Sequence, residues 1–391
     1  MALLVSVIVI IAVGAVAAAI AIESQYRQRP GNALTFAAGQ WNLETYSANH
    51  YVIVGEPQLI NQTRSLEIMV PEVKVEATLL SGNSLDQVKI QTRLMPQHPD
   101  APARADDYWF AYIVKVGKTT QMEITVDIQG PDLNQLKVLW LRVRYITYGP
   151  QGRIPKTGHV VVPLRFPNPE AIPAWRSTEI AERLPVATHL LTHLDDPVAV
   201  VKRYVMPHAK PGDIITLGET PVAIMQGRWR HPETVKPGWV ARRLCYYFMP
   251  TSSLATACGM QTLVDVSGAW RVVYAFIVGA IAKKILGQPG LFYQLAGEQA
   301  RLIDDVTGTL PPYDQFIVLG PHQPQQVVEN ILKETGLAAA IVDVNDLKAV
   351  KILAATSGVN SALLSQALID NPAGNADEQT PLVLVRPRAQ G

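Results

Sequence analysis

Gln121-Met122-Glu123-Ile124-Thr125-Val126-Asp127-Ile128 alternates polar and apolar residues without a break. A period of two puts every second side chain on one face, so this run reads as a half-buried β-strand. Its neighbours repeat the signal in short lengths. Segments 66–70, 73–80, 88–94, 108–116 and 137–146 each fit strand length, with Gly130-Pro131 and Gly149-Pro150 as punctuation. Strands at this spacing predict an all-β sandwich over 40–170, suited to spacing or partner contact. Gly117-Lys118 reads as a hairpin turn. It is not a phosphate loop, because Tyr112 stands where such a loop needs its first glycine, and a strand follows where it needs a helix. The sequon Asn61-Gln62-Thr63 has meaning only in a glycosylating compartment.

Towards the amino terminus the character changes. Residues 2–22 contain no charge, Ser6 is their only hydroxyl, and Glu23 is the first charged residue. A helix of that length rises about 30 Å, enough to cross a hydrocarbon layer. The reading is a single-pass transmembrane anchor over 2–22, with 23–39 as a linker. A cleaved signal peptide competes, since small residues surround Ala17 to Ala19, but the basic leading segment of such peptides is missing. Arg27 and Arg29 follow the span, which by the positive-inside tendency puts the main body on the cytoplasmic side.

Towards the carboxyl terminus, prolines between Pro163 and Pro173 close the β region, and 171–187 reads as a second linker. Helix and strand signals then interleave over 188–387. Segments 198–205, 270–286, 325–335 and 361–369 read as helices, and 213–217, 338–342 and 382–385 as strands. The fold class is therefore α+β and multidomain: an N-terminal transmembrane helix, a sandwich, then a mixed α/β domain. With 34 basic and 33 acidic residues the chain has no nucleic-acid footprint. Its two cysteines, Cys245 and Cys258, are too few for a disulfide framework and have neither redox nor zinc spacing, so they read as buried thiols.

Three segments of the mixed region put acidic residues where strands or helices end, mostly beside glycine. They are Glu298 with Ile303-Asp304-Asp305-Val306-Thr307-Gly308, then Val342-Asp343-Val344-Asn345-Asp346, then Gly374-Asn375-Ala376-Asp377-Glu378-Gln379. Carboxylates at strand exits can hold hard divalent cations that bridge nucleotide phosphates, although single acidic corners are commonly caps or solvated turns. His189 and His193, four apart, would share a helix face. That spacing can bind zinc, but without the accompanying glutamate of a zinc-protease motif they read as structural histidines. Arg228-Trp229-Arg230-His231 is a small basic-aromatic patch, either a solvated turn or a site for an anionic head group or nucleotide.

Several motifs from Thr188 to Arg386 carry a resemblance. Lys210-Pro211-Gly212-Asp213-Ile214-Ile215 is followed by Glu219-Thr220, then by Gly290-Leu291-Phe292-Tyr293-Gln294-Leu295-Ala296-Gly297-Glu298. Pro311-Pro312-Tyr313, Leu319-Gly320-Pro321 and Val342-Asp343-Val344-Asn345-Asp346-Leu347 come next. Asn371-Pro372-Ala373-Gly374 and Asp377-Glu378-Gln379-Thr380-Pro381 complete the series. In this order they resemble the coenzyme F-420 γ-glutamyl ligase family, over about half the chain. Residues before Thr188 lie outside the resemblance.

The resemblance implies a metal- and GTP-dependent ligase that adds L-glutamate to a carboxylate acceptor through an acyl phosphate, working as a homodimer. It implies metal ligation by Asp304, Asp343 and Glu378, and nucleotide contact by Thr220, Thr307 and Asn345. The ion would be magnesium or manganese, with potassium as a candidate accessory. Ile224 replaces the family's phosphate-neutralising lysine, Val344 replaces a hydroxyl ligand, and Thr307 stands for an asparagine. Arg228, Lys283 and Lys284 are candidates for the missing charge. Two functions remain open: a membrane-anchored ligase, and a non-catalytic ligase-fold scaffold or ligand-binding module for a membrane complex.

Overall fold

The computed structural model describes residues 2–27, 33–64, 66–102, 104–149, 152–171, 174–285, 287, 290–305, 310–344, 348–374 and 378–388; side chains are described there except at 2–5, 8, 25–27, 149 and 304–305. Two compact units emerge. One comprises Met1–Thr78, Ser84–Asn134 and Trp140–Val160; the other comprises Leu79–Asn83, Gln135–Leu139 and Val161–Gly391.

Helix α1 (Ala2–Arg27) opens the first unit. It is followed by β1 (Leu34–Ala37), β2 (Trp41–Ser47), β3 (His50–Gly55), β4 (Gln58–Asn61), β5 (Ile68–Val70) and β6 (Glu72–Ser81). Then come β7 (Lys89–Gln97), β8 (Tyr112–Val114), β9 (Thr119–Gln129), β10 (Leu136–Gly149) and β11 (Gly152–Pro163). The alternating run is the hub. β9 pairs with β7 along Gln121 to Gln129, while β4 and β3 share its other edge. Met122, Ile124, Val126 and Ile128 are all fully buried, as a period of two demands. A second sheet, ordered β11-β10-β6, buries Leu141, Val143 and Tyr145 of β10, so each sheet has one core face, as in a sandwich. Gly55 sits inside a strand because the Trp41 ring of the paired β2 lies where a Cβ would stand.

Three expectations change here. Gly117-Lys118 is a tight turn, with the Lys118 amide donating to the Lys115 carbonyl at 3.0 Å, but not a hairpin. β8 pairs with β5 in a separate two-stranded sheet, so the turn carries the chain between sheets. The stretch 23–39 holds the end of α1 and also β1, which pairs with β4 from Leu34↔Asn61 to Ala37↔Gln58. Among the described residues no single helix is long and apolar enough to cross a membrane; the apolar helical run there is Val9–Ser24.

The second unit contains β12 (Arg176–Ser177), β13 (Ala181–Val186), α2 (Pro197–Tyr204), β14 (Ile214–Gly218), α3 (Glu219–Met225), β15 (Trp229–Arg230) and α4 (Trp239–Leu244). It continues with α5 (Ala257–Ser267), α6 (Ala269–Ile285), α7 (Leu291–Ala296), α8 (Gln299–Leu302), β16 (Asp304–Asp305) and β17 (Ile317–Val318). α9 (Pro324–Thr335), β18 (Ala338–Val344), β19 (Val350–Ala355), α10 (Ser361–Leu368) and β20 (Leu382–Pro387) complete it. A six-stranded sheet runs β12-β13-β20-β14-β18-β19. β14 and β18 are parallel, whereas β13–β20, β14–β20 and β18–β19 are antiparallel.

Alternation again assigns the faces. Ile215 and Leu217 pack with Val201 and Tyr204 of α2 and with Val328 and Ile331 of α9. Ile214, Ala340 and Val383 pack with Leu364, Ala367 and Leu368 of α10. Each fully buried Val, Leu or Ile among them stabilises the fold by roughly 1.5–3 kcal/mol. Local signals set the helix limits: Asp196 accepts from the Ala199 amide with Pro197 in the first turn of α2, and Gly336 ends α9 in the left-handed region. The 171–187 stretch contains β12 and β13, not only a linker. Pro185 is tolerated because β12 covers β13 only at Glu182 and Arg183, leaving one edge open beside the proline.

The mixed architecture is anchored by an ion pair between the buried Asp213 and the partly buried Arg386. Arg386 donates from Nε to Asp213 Oδ1 at 2.9 Å and from a terminal nitrogen to Oδ2 at 2.8 Å. Asp213 also accepts from the Lys210 amide at 2.8 Å, which closes the turn before β14. The pair ties the start of β14 to the end of β20, and the Trp175 ring lies 4.2 Å from the Arg386 guanidinium. Asp213 is thus structural, within a motif that carries the resemblance.

Candidate functional site

In an open sheet, ligands bind beyond the carboxyl ends of parallel strands, where backbone groups emerge without a neighbour. β14 and β18 end side by side at the partnered residues Gly218 and Val342. A cavity of about 360 Å³ opens there, and Thr216, Gly218, Thr220, Ile224, Asp343 and Val344 form one wall. Thr188, His189, Asn371, Gly374 and Gln379 form another, and Arg301, Leu302, Leu310 and Tyr313 close it.

Backbone hydrogen bonds hold these walls in place. The Gly218 amide donates to the Pro381 carbonyl at 3.0 Å, and the Thr188 amide to the Gln379 carbonyl at 3.1 Å. Thr216 donates from Oγ1 to the Val383 carbonyl at 3.1 Å, and Thr380 to the Ala373 carbonyl at 2.5 Å. From β13, buried Arg183 donates to the Ala367 carbonyl at 3.0 Å and pairs with Asp370, which pins the start of the glycine-rich loop. Gly374 takes a positive φ of 67°, and the Glu378 carboxylate lies directly over its Cα. A side chain at 374 would displace that carboxylate.

Of the residues expected at a site, Thr220 and Asp343 meet in this cavity. Asp343 is an exposed strand-end residue, and Thr220 lies in the first turn of α3. Glu378 is exposed and folds onto Gly374, which lines the cavity, but Glu378 itself does not. Asp304 lies on β16, opposite Val318, and its side chain is outside the described set. The chain on either side of it, Arg301 and Leu302 before and Leu310 after, lines the cavity. Thr307 and Asn345 fall outside the described residues. Among the described residues no group of three or more His, Cys, Asp and Glu converges on a possible metal position. The polar side chains that line the cavity with Asp343 offer hydroxyl and amide oxygens, which are hard donors. They suit an ion such as magnesium, which takes one or two carboxylates and fills its shell with phosphate and water.

Sequence reasoning missed Arg301, the arginine of this cavity, and Asn371. Ile224 indeed lines the wall, so no cation stands there. Neither Lys283 and Lys284, at the end of α6, nor Arg228 lines the cavity. Arg228 donates to the Gly320 carbonyl at 2.6 Å and to Gln299 at 3.2 Å, and its burial lowers the guanidinium pKa. The Arg228–His231 patch is not a solvated turn either: Trp229 and Arg230 form β15, paired with β17, and Arg230 bridges to Asp265 at 2.6 Å.

His189 and His193 lie on the loop between β13 and α2, not on a helix, because the helix begins only at the Asp196 cap and Pro197. His189 is held by the Tyr204 hydroxyl at 2.7 Å and Asp195 at 2.9 Å, and Asp195 in turn accepts from the Thr192 amide at 2.8 Å. His193 packs edge-on to Trp229, with ring centroids 5.3 Å apart, and Trp229 lies 5.9 Å from Tyr313. Neither ring nitrogen of His193, nor Trp229 Nε1, nor the Tyr313 hydroxyl has a hydrogen-bond partner among the described residues. Burial lowers the His193 pKa to about 4 and raises that of Tyr313.

Residues 35–166 match a family model described as "F420-0:gamma-glutamyl ligase, N-terminal Ig-like domain". The match falls on the β-sandwich, the part placed outside the resemblance on sequence grounds. The chain therefore has a β-rich Ig-like domain, similar to the one that model describes, followed by a mixed α/β region. No curated protein matches the chain. Solved structures with some similarity include a yeast GGA1 GAE domain, at 13% identity and TM-score 0.20, covering 34% of this chain and 93% of that one. The GAE domain of GGA2p from Saccharomyces cerevisiae is another, at 11% identity and TM-score 0.20, covering 34% and 98%. A family 123 glycoside hydrolase from Clostridium perfringens gives 10% identity and TM-score 0.18, covering 34% and 29%. At these TM-scores nothing further rests on the likeness.

Proposed function

We propose that this protein is a metal- and GTP-dependent γ-glutamyl-ligase-like enzyme, tethered to a membrane by α1 and acting as a homodimer. The observation that carries the reading is the match of residues 35–166 to the Ig-like domain named for F420-0:gamma-glutamyl ligase. The cavity at the ends of β14 and β18 supports it, because Thr220, Asp343 and Arg301 put hydroxyl, carboxylate and guanidinium groups around one space.

In this reading Asp343, with Asp304 and Glu378 carried over from the resemblance, holds magnesium or manganese, which neutralises phosphate charge when bound. Thr220 donates its hydroxyl to a phosphate oxygen, and Thr307 and Asn345 complete the nucleotide contacts. Arg301 takes over the charge role lost at Ile224. An acceptor carboxylate oxygen displaces GDP from the γ-phosphorus to give an acyl phosphate. The L-glutamate amine then attacks the acyl carbon, phosphate leaves, and the amine loses a proton as the amide forms. Reaction needs water kept from the acyl phosphate, and Leu302, Leu310 and Ile224 give the cavity an apolar lining for that purpose.

Ile224 and Val344 in the cavity wall favour a second reading, a ligase fold retained as a binding module. Turnover separates the two. The full chain is incubated with GTP, manganese, L-glutamate and F420-0, and phosphate release is followed. Release that requires both the acceptor and glutamate supports the ligase. GTP bound without release under these conditions supports the binding module and removes the enzymatic assignment. For the tether, membrane association that resists carbonate and is lost on deletion of residues 2–22 is expected; association that survives the deletion would remove α1 from that role.

A further inference from the structure

Helix α6 has two apolar faces. Val272, Ala275, Gly279 and Ala282 are buried against the helical core that includes Phe292 and Leu263. On the opposite side Trp270, Tyr274, Ile277, Ile281 and Ile285 recur at helical spacing and are all exposed, Trp270 to 87%. Beside the helix, Tyr247 stands 5.2 Å, ring to ring, from Phe276 of α6, and Tyr246, Met249 and Trp239 are exposed on the same run of chain. Large exposed apolar side chains grouped in this way mark an interaction site.

Its charge says what covers it. Residues 234–297 contain six basic residues and one acidic, against 34 and 33 in the whole chain. The single acid, Asp265, is engaged by Arg230 at 2.6 Å and by Gln261 at 2.7 Å. Lys236, Arg242, Arg243, Lys283 and Lys284 have no ion-pair partner among the described residues. A second copy of this surface would set arginine and lysine against arginine and lysine, with the Asp265 carboxylate already engaged on each. Exposed tryptophan and tyrosine beside isoleucine, edged by free lysine and arginine, is instead the composition of an element lying in a bilayer interface. α5 and α6 together have the length and apolarity of a span but are bent by 111°, and α6 keeps one face in the protein core, so the geometry is that of a helix lying along the surface rather than crossing it.

We infer that the exposed face of α6, with Trp239, Tyr246 and Tyr247, docks the mixed domain on an anionic lipid surface. This contact is separate from α1 and stands whether or not α1 crosses the membrane.

The test uses the full chain with vesicles of phosphatidylcholine bearing brominated acyl chains, with or without phosphatidylglycerol. The Trp270 share of the emission is the difference between the wild type and Trp270→Phe. It should be quenched in the phosphatidylglycerol vesicles, released by high salt, and lost when Ile277→Glu and Ile281→Glu are combined. Replacing Arg242, Arg243, Lys283 and Lys284 by glutamine should reduce the quenching only in the anionic vesicles. Trp270 emission unquenched while the protein still sediments with the vesicles overturns the docking surface and leaves α1 as the sole tether. Disulfide-linked pairs formed by Ile281→Cys without lipid assign the face to a second copy and also overturn it. Because Trp270→Phe and Ile281→Cys are mild changes at exposed positions, the result does not depend on the doubly charged variant folding.

Discussion

In the β-sandwich the side chain of Asn61 is met on every side. Its amide donates to the Leu66 and Val114 carbonyls, both at 2.9 Å, and its oxygen accepts from the Thr63 amide at 3.0 Å and hydroxyl at 2.7 Å. The mixed domain places His193, Trp229 and Tyr313 in a row beside the cavity, with four polar atoms that find no partner among the described residues. A satisfied buried group specifies one structure and leaves nothing to offer a ligand. Unsatisfied groups beside a cavity cost stability and are positioned to bind something polar. Unpaired buried atoms occur in the sandwich as well, at His98 Nε2 and Arg142 Nε, but those of the row in the mixed domain belong to or adjoin Tyr313, which lines the cavity where binding is proposed. The comparison also explains why the sequon at Asn61 is no glycan acceptor in this fold: Asn61 is 1% exposed, and its amide nitrogen is already bonded twice.

The contrast can be broken by asking whether the two units melt separately. The largest expected effect is Asp213→Ala, which strands the Arg386 guanidinium in a partly buried site. It should destabilise the mixed domain by about 3–5 kcal/mol and leave the sandwich transition in place. Urea unfolding followed by hydrogen exchange in β9 and β14 resolves the two; equal shifts of both would show that they unfold as one. Asn61→Ala is the mirror test. Losing four hydrogen bonds in the core should cost the sandwich about 2–3 kcal/mol while β14 exchange is unchanged.

Acid sharpens the same comparison, because among the described residues each unit has a histidine kept neutral by burial. His98 in the sandwich, stacked 3.9 Å from Tyr112 and bonded to Thr120 at 2.8 Å, has its pKa lowered from 6.5 to about 4, as does His193. Below pH 6.5 the unfolded chain takes up protons that the folded one refuses until about pH 4. Stability therefore falls as pH drops through that window, by up to about 1.4 kcal/mol per pH unit for each histidine, and is unaffected by them above it. His98→Phe should flatten the pH profile of the sandwich transition alone, and His193→Phe that of the mixed domain alone. A profile unchanged by either would mean that these rings are not held neutral.

The sandwich was legible where apolar residues alternate strictly over a long run, as from Thr119 to Gln129, and was missed at the shorter β2, β3 and β4; the alternation of β2 also slips at the register shift between Leu43 and Thr45. β13 was hidden by Pro185, which looks like a breaker until its open strand edge is seen. In the mixed domain the elements stand close to where periodicity placed them, since α2, α6, α9 and α10 each have a continuous apolar stripe and defined ends. The site was legible only in part. A strand exit announces Asp343, but Arg301 reaches the cavity through a short helix with no spacing that a sequence displays, and Asn371, quoted within a motif but given no role, reaches it through a stapled loop.

The central claim, that this cavity binds a metal–nucleotide complex through Asp343, is tested most directly by titrating GTP into the full chain with manganese, for the wild type and Asp343→Asn. Saturable binding that needs the metal is expected, weakened at least about tenfold in the variant, whose exposed position should keep its stability within about 0.5 kcal/mol of the wild type. Binding of equal strength in both proteins, or none at millimolar metal, would contradict it.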